Sequence, residues 1–411
     1  MTDLKRNVPE LRFPEFEGEW EEKKLGELCT FSNGINAKKE QYGHGRKFIN
    51  VLDILNKNYI TYNEIIGKVA VSKEVEHRNK VEYGDLLFLR SSETREEVGT
   101  TNVYLDNTFA LYGGFVIRGK KVANYDPMFI KNLLNTSKIR NMISASSGGS
   151  TRYNVNQEIL KKLKLKLTGI NEQQKIGDFF SKLDRQIELE EQKLALLEEQ
   201  KKGYVQKIFS QELRFKDDNG EDYPEWEEKE LKSLVEYKNG KGYEKEVDPN
   251  GKYNIINLNS ISTKGRLKDS GKYSNFKDTT LNKNDLVMIL SDVAKGNLIG
   301  KTAIIDQSDK YLLNQRVASL RVREVSITNI VFVYYYINYF RWYFINMSTG
   351  MSQLNISKRT VEEFLIHLPH IEEQQKIGDF FSKLDQQIEL QGQKIENLKQ
   401  RKKGLLQKMF V

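Results

Sequence analysis

Two stretches of the chain carry apolar residues at alternating steps of three and four. In the first, Ile176, Phe180, Leu183, Ile187, Leu194, Leu197, Tyr204 and Ile208 keep the step, with Glu190 and Lys201 taking two polar places in it. In the second, Ile377, Phe381, Leu384, Ile388, Ile395, Leu398, Leu405 and Met409 do the same, interrupted at Gln391 and Lys402. The narrow seam and its charged flanks predict long coiled-coil helices, over 171–212 and 371–411, that pair with each other. Residues 172–210 as one helix span about 58 Å at 1.5 Å per residue. Elsewhere short alternating apolar runs are broken by Gly, Asn and Asp, which predicts β-rich domains over 1–166 and 213–368.

The helices are near copies. "EQQKIGDFFSKLD" stands at 172–184 and again at 373–385, and "IELEEQKLALLEEQKKGYVQKIF" (187–209) continues in register with "IELQGQKIENLKQRKKGLLQKMF" (388–410). The globular segments are related more faintly: "WEEKKLGELCTFSNG" matches "WEEKELKSLVEYKNG", "GDLLFLRSS" answers "NDLVMILSD", and "SGGSTRYNV" answers "STGMSQLNI". "IVFVYYYINYF" (330–340) reads as strand by propensity, but it aligns with the helically spaced "FIKNLLNTSKI" (129–139) and is expected to be helix. Asp126 before Pro127 makes an N-cap and first turn for the first copy, and Thr328 is the expected cap of the second. After each comes a glycine loop, a short helix and an alternating strand, "LKLKLT" or "FLIHLP".

The ends close on themselves. "SQELRFKDDNGEDYPEWEEKEL" follows the first helix, and "VPELRFPEFEGEWEEKKL" stands near the start, so the order is a cyclic repeat cut open. That order closes only if the two helices are antiparallel, with Phe410 near residues 9–13 and a two-fold axis across the helix midpoints. Glu190 and Gln391 are then expected to face each other and fix the register. The fold class expected is α+β: two β-rich domains separated by two long antiparallel coiled-coil helices in a pseudo-two-fold cyclic repeat.

Composition narrows the function. With 411 residues, 38% of them hydrophobic, and 20 Phe and 20 Tyr, the chain can build more than one core. One cysteine, Cys29, and four histidines exclude a disulfide framework or thiolate zinc site and fit a reducing cytoplasm. No signal-like apolar stretch opens the sequence, and the run at 330–340 is too short to cross a bilayer, so no membrane partner is expected.

The net charge of +8 permits a polyanionic partner. Residues 20–166 hold 24 Lys and Arg against 16 Asp and Glu, whereas 172–210 hold 7 against 8. The globules therefore carry the polyanion surface. In their loops stand Arg46 and Lys47, Arg90, Ser91, Ser92 and Arg95, then Thr151, Arg152 and Tyr153. The second segment offers Lys295, Asn297, Arg316, Ser352, Gln353 and Asn355. These side chains supply phosphate anchors and the donors and acceptors that read base edges in a major groove.

Catalytic readings fail on spacing. "GNLIGKT" (296–302) is one residue short of a phosphate-binding loop, and "TAIID" continues as strand where a helix must begin. "GHG" lacks the third glycine of a dinucleotide loop. The Asn/Asp-Pro-Pro-aromatic signature of amino-group DNA methyltransferases is missing, and His367 and His370 have no cysteine or carboxylate cluster beside them.

Two unlike globules, two near-identical helices beginning "EQQKIGDFFSKLD", the glycine loops "GGSTRYN" and "GMSQLN", and the cyclic ends together resemble the specificity subunit of a Type I restriction-modification system. The resemblance spans essentially the whole chain. It implies that each globule is a target recognition domain reading one half of a bipartite double-stranded DNA target. The helices, it implies, set the spacing and dock two methyltransferase subunits. It implies no cofactor for this chain. S-adenosylmethionine would belong to the methyltransferase partners, and ATP and Mg to the motor and restriction subunits of this bacterial defence complex. One departure is Thr168, where the family has a proline as Pro369 does here. Half-sites on one face of the duplex are expected roughly one helical turn apart. The rival expectations are an enzyme, a nucleotide hydrolase or self-contained nuclease, and a structural coiled-coil adaptor that reads no DNA.

Overall fold

The computed structural model describes residues 7–55, 58–149, 151–293 and 298–411. The chain divides into two compact units, Met1–Lys193 with Gly392–Val411, and Leu194–Gln391. Each long helix therefore contributes to both.

In the first unit, β1 (Glu21–Lys24), α1 (Leu25–Leu28), β2 (Cys29–Asn33) and β3 (Tyr42–Ile49) lead through α2 (Val51–Leu55), β4 (Lys68–Val69) and α3 (Lys73–Arg78) to β5 (Leu86–Leu89). Then come β6 (Ser91–Ser92), β7 (Thr101–Val103), β8 (Leu111–Tyr112), β9 (Val116–Lys121), α4 (Pro127–Leu134), α5 (Ser137–Ser146), β10 (Tyr153–Asn154), α6 (Gln157–Lys162), β11 (Lys164–Leu167) and the first long helix α7 (Ile170–Phe209). The strands form an antiparallel sheet β2-β9-β5-β7, a three-stranded sheet β4-β3-β8 and two ribbons, β6-β10 and β1-β11.

Strand β5 shows why the layers stack. Its sequence LLFL is buried on both faces, with Leu86 and Phe88 packing toward α4 and α7 beside Phe129, Ile176 and Phe180. Leu87, pointing the other way, packs with Ile49 and Tyr112 of the second sheet and with Ile54 of α2. Each such apolar side chain stabilises the layer by roughly 1.5–3 kcal/mol. A continuous apolar run is what a strand covered on both faces requires.

The second unit repeats the plan. Strands β12 (Glu227–Glu230), β13 (Val235–Asn239), β14 (Tyr253–Ile256), β15 (Tyr273–Ser274), β16 (Leu286–Ile289), β17 (Ser291–Val293), β18 (Thr302–Ile304), β19 (Tyr311–Leu313), β20 (Val317–Val322), β21 (Gln353–Asn355) and β22 (Leu365–Leu368) match β1 to β11 in order. They pair correspondingly as β13-β20-β16-β18, β15-β14-β19, β17-β21 and β12-β22. Helices α8 (Leu231–Leu234), α9 (Ile330–Tyr339), α10 (Trp342–Asn346) and α11 (Lys358–Glu362) precede the second long helix α12 (Ile371–Met409).

The apolar run at 330–339 is helix, as the internal alignment predicts. Asp126 caps α4, accepting from the Phe129 N–H at 2.7 Å with Pro127 in the first turn. Thr328 does not cap α9. That role falls to Asn329, whose Oδ1 accepts from Val331 and Phe332 N–H at 2.8 and 3.1 Å, while Thr328 is buried at 3% exposure. Asparagine is the stronger cap of the two adjacent candidates.

The long helices run antiparallel within each unit. In the first, the Asp184 carboxylate takes Lys402, Glu190 takes Lys394 at 2.5 Å, and the Phe180 and Phe410 rings stack at 5.9 Å. Partner numbers fall on one helix as they rise on the other. In the second unit Lys201 pairs with Asp385 at 2.6 Å, Tyr204 with Phe380 at 5.2 Å and Phe209 with Phe381 at 5.9 Å. The polar breaks at Lys201 and Lys402 are thus cross-helix ion pairs. Ile176, Phe180, Leu183, Ile187, Ile377, Phe381 and Ile395 are buried, whereas Leu194, Leu197, Leu384, Ile388 and Leu398 are half-buried. Leu11 N–H donates to the Lys408 carbonyl at 2.9 Å, and Trp20 meets Phe410 edge-on at 6.2 Å, so the beginning of the chain docks on the end of α12.

The repeated passage forms the joint between helix and globule. Glu172 binds Arg12 at 2.7 Å, and Glu373 binds Arg214 at 2.7 Å and Trp226 Nε1 at 3.1 Å. Gln173 accepts the Asp126 N–H at 3.1 Å and donates to the Thr168 carbonyl at 2.6 Å. Gln374 likewise accepts the Asn329 N–H and donates to the Pro369 carbonyl, both at 2.8 Å. At Gly177 a Cβ would lie 2.2 Å from Asp126 Oδ1, so only glycine lets the helix reach the cap. Thr168, where the repeat has Pro369, adds a hydroxyl bond to Glu172. Among the described residues no helix is long and apolar enough to cross a membrane.

Candidate nucleic-acid interface

The candidate loops converge in the β6-β10 ribbon. Tyr153 lies opposite Ser92 and Asn154 opposite Ser91, and the Ser91 hydroxyl donates to Asn154 Oδ1 at 2.7 Å. Ribbon and β8-β9 turn interlock, since Arg90 N–H donates to the Phe115 carbonyl at 2.9 Å and the Arg90 guanidinium to the Gly114 carbonyl at 3.2 Å. Gly149 makes the loop possible: at φ +116°, with a Cβ position only 2.0 Å from the Arg152 carbonyl, no other residue fits. Arg140 ties the 90–98 loop to α5 through the carbonyls of Glu96 and Val98, both at 2.7 Å. Burial holds the Arg140 pKa below the usual arginine range.

On this scaffold Thr151 and Arg152 are exposed, the Arg152 guanidinium sits 5.4 Å from the centre of the Phe115 ring, and exposed Arg95 lies 4.9 Å from that of Tyr153. Ser92 has a different role. It is buried, and its hydroxyl donates to Glu97 at 2.8 Å and accepts the Thr94 N–H, which shapes the loop. Arg46 and Lys47 belong to β3. Arg46 covers Phe109 at 3.9 Å and approaches Glu76 at 3.7 Å, and Lys47 donates to the Ile65 carbonyl. These contacts place both in the three-stranded sheet rather than in the ribbon.

The second unit builds the same ribbon from other side chains. Ser291 lies opposite Asn355 and accepts from Gln353 Nε2 at 2.6 Å, while Asn355 Nδ2 returns to the Gln353 carbonyl at 3.1 Å. Gly350 repeats the tight turn at φ +115°. Ser352 and Arg316 are exposed, and Arg316 occupies the place of Phe115, with its carbonyl accepting the Leu290 N–H at 3.0 Å. Beside Arg316 a cleft of about 280 Å³ is lined by Tyr243, Asn257, Asn259, Lys272 and Asn314. Lys295 and Asn297 lie outside the described residues. Arg341, at the start of α10, anchors this loop region as Arg140 of α5 does in the first unit, its Nη1 donating to the Ile299 carbonyl at 3.0 Å.

The two units thus display basic and amide side chains on matching ribbons of one repeated scaffold. The model of the Type I restriction modification DNA specificity domain matches twice, at residues 17–199 and 223–400. The chain belongs to this family. The two matched specificity domains cover both ribbons and most of both long helices.

Among relatives, the MjaVIII specificity subunit of a type I restriction enzyme of Methanocaldococcus jannaschii is 24% identical, over 96% of this chain and 92% of that protein. The MjaX specificity subunit of the same organism is 23% identical, over 97% and 95%. In fold, the chain is similar to the crystal structure of a Type I restriction-modification system S subunit from M. genitalium. The TM-score is 0.62 at 16% identity, covering 98% of this chain and 99% of that one.

One prominent residue of the specificity domain was not expected from the sequence. Phe115, 55% exposed at the β8-β9 turn, had a signal. "LYGGFV" aligns with "LLNQRV", so the residue matching the flagged Arg316 is Phe115. Val293 within the second ribbon, at 62% exposure, and Met351 just before it, at 101%, are further side chains that loop polarity does not find.

Proposed function

We propose that the chain is the address reader of a Type I restriction-modification complex, in which each specificity domain reads one half of an asymmetric, bipartite double-stranded DNA target. The long helices set the spacer between the halves and dock two methyltransferase subunits. Motor and restriction subunits join that assembly. Chemistry belongs to the partners: methyl transfer from S-adenosylmethionine, flipping of the target adenine, and work driven by ATP with Mg. This chain positions DNA and is not itself a catalyst.

The observation that carries the reading is the pair of matching ribbons. The backbone and the glycine turn repeat, but Arg152, Tyr153 and Phe115 stand in one unit where Gln353, Leu354 and Arg316 stand in the other. Equal scaffolds with unequal side chains suit recognition of two different half-sites by contacts to base edges. Lysines and arginines on the same domains supply phosphate contacts, which make affinity fall steeply with salt.

The experiment is an exchange of residues 20–166 for those of another specificity domain, followed by mapping of the modified DNA sites in cells carrying the full system. One half of the target should change and the other stay. Deleting one helical heptad should change only the spacer. An unchanged target after the exchange refutes the reading.

A further inference from the structure

Resting on the DNA reading above, we propose that Arg152 reads a guanine in the half-site of the first unit, and that Phe115 is the residue that positions it. Phe115 follows Gly113 and Gly114 in a turn whose backbone is fixed from both sides: by the Arg90 bonds described above and by the Val116 N–H to the Gly113 carbonyl at 2.9 Å. A large apolar ring so fixed yet 55% exposed serves no core. What lies against it is the Arg152 guanidinium, at 5.4 Å from the ring centre.

Stacking on an aromatic face restrains the long arginine side chain and leaves the N–H fork at its edge open, so less freedom is lost when both donors engage one acceptor pair. Guanine presents such a pair, O6 and N7, in the major groove, and two-donor binding by arginine is its commonest specific contact. Among the described residues Arg152 makes no salt bridge that would occupy the fork. The neighbouring stack, Arg95 on Tyr153, is a weaker candidate because exposed Glu93 and Glu96 flank Arg95. In the second unit the same two places hold Arg316 and Gln353, so the arginine stacked on an aromatic ring, and the guanine contact assigned to it, belong to the first half-site alone.

The test is selection by the full-length chain, with its partner subunits where DNA binding needs them, from a library of duplexes randomised at every position of the target. Wild type is expected to require a G·C pair at one position of one half-site. Arg152→Ala and Phe115→Ala should each relax that position, on the order of tenfold to a hundredfold, and leave every other position unchanged. Phe115→Trp, which keeps an aromatic platform, should retain the preference. Arg316→Ala should leave it intact and act only on the other half.

Uniform weakening on all duplexes by Arg152→Ala, with a shallower salt dependence, would make Arg152 a phosphate anchor and overturn the proposal. Unaltered selection by Phe115→Ala would overturn the positioning role. Both results leave DNA reading standing. A wild-type chain that selects no sequence at all refutes that reading and this inference with it.

Discussion

Arg12 and Glu172, 160 residues apart in sequence, close a two-pronged ion pair with Nε to Oε1 and Nη2 to Oε2 both at 2.7 Å. The Glu172 side chain is 2% exposed, and its hydrogen bond raises the Arg12 pKa above the usual arginine value. The second unit repeats the arrangement with Arg214 and Glu373. The joint ties the beginning of each repeat to the first turn of its own long helix.

Removing one partner leaves a buried charge. Arg12→Ala is therefore expected to destabilise the first unit by about 3–5 kcal/mol, and Arg12→Ala with Glu172→Leu by clearly less, because the stranded carboxylate is gone. Urea unfolding of the three proteins, read by hydrogen exchange at the α4 amides, decides it. Equal losses in the single and double variants would contradict the account.

Glycines on the same helix should respond in opposite ways. Gly177→Ala drives a methyl into Asp126 Oδ1 and opens the α4 cap, for an expected loss of about 1–3 kcal/mol. Around Gly203 nothing lies within 4 Å, and Gly203→Ala should stabilise by about 0.5–1 kcal/mol through the lower entropy of the unfolded chain. Calorimetric melting should show shifts of opposite sign.

Asn329 is expected to matter as a cap. Asn329→Ala surrenders the acceptor for two backbone N–H groups and should cost about 1 kcal/mol, whereas Asn329→Ser should recover most of it. Thermal unfolding of the two variants, run beside wild type, checks the assignment. Thr328→Ser, which leaves the Asn329 acceptor in place, should preserve the helix start.

One carboxylate gives a pH signature. The Lys241 ammonium, then the Thr279 N–H and the Tyr243 hydroxyl, hold the Asp278 pKa down at about 2. Because the folded value lies below the unfolded one, the contribution is fully present above the ordinary carboxylate range. It disappears as the pH falls toward about 2. Asp278→Asn should therefore be less stable than wild type near neutrality, and the two should converge in acid. A gap in urea midpoint that persists at the acid end would refute the pairing.

The joint and the ribbon were legible to different degrees. The thirteen-residue repeat announced that something at the start of each long helix was being reused, and the three-four spacing gave the helices their length and partner. The alignment of 330–340 with 129–139 overruled strand propensity and was right to do so. It did not choose between adjacent Thr328 and Asn329 as the cap, because that depends on which backbone turns first. Lys201 and Lys402 looked like breaks in the seam. Their partners, Asp385 and Asp184, belong to the other helix of the pair and follow from antiparallel register rather than from local pattern.

By itself the sequence determined the cyclic order, the two related globules, the long helices and the polar character of the loops, since all of these follow from periodicity and from comparison of the chain with itself. Only the tertiary structure decided which loop residues share a surface. It placed residues 91–92 against 153–154, brought Phe115 beneath Arg152, and moved Arg46 and Lys47 to another sheet. The reason is physical: periodicity reports the face that a residue presents within its own element. The meeting of two short strands some sixty residues apart depends on the packed core beneath them and on a single glycine turn.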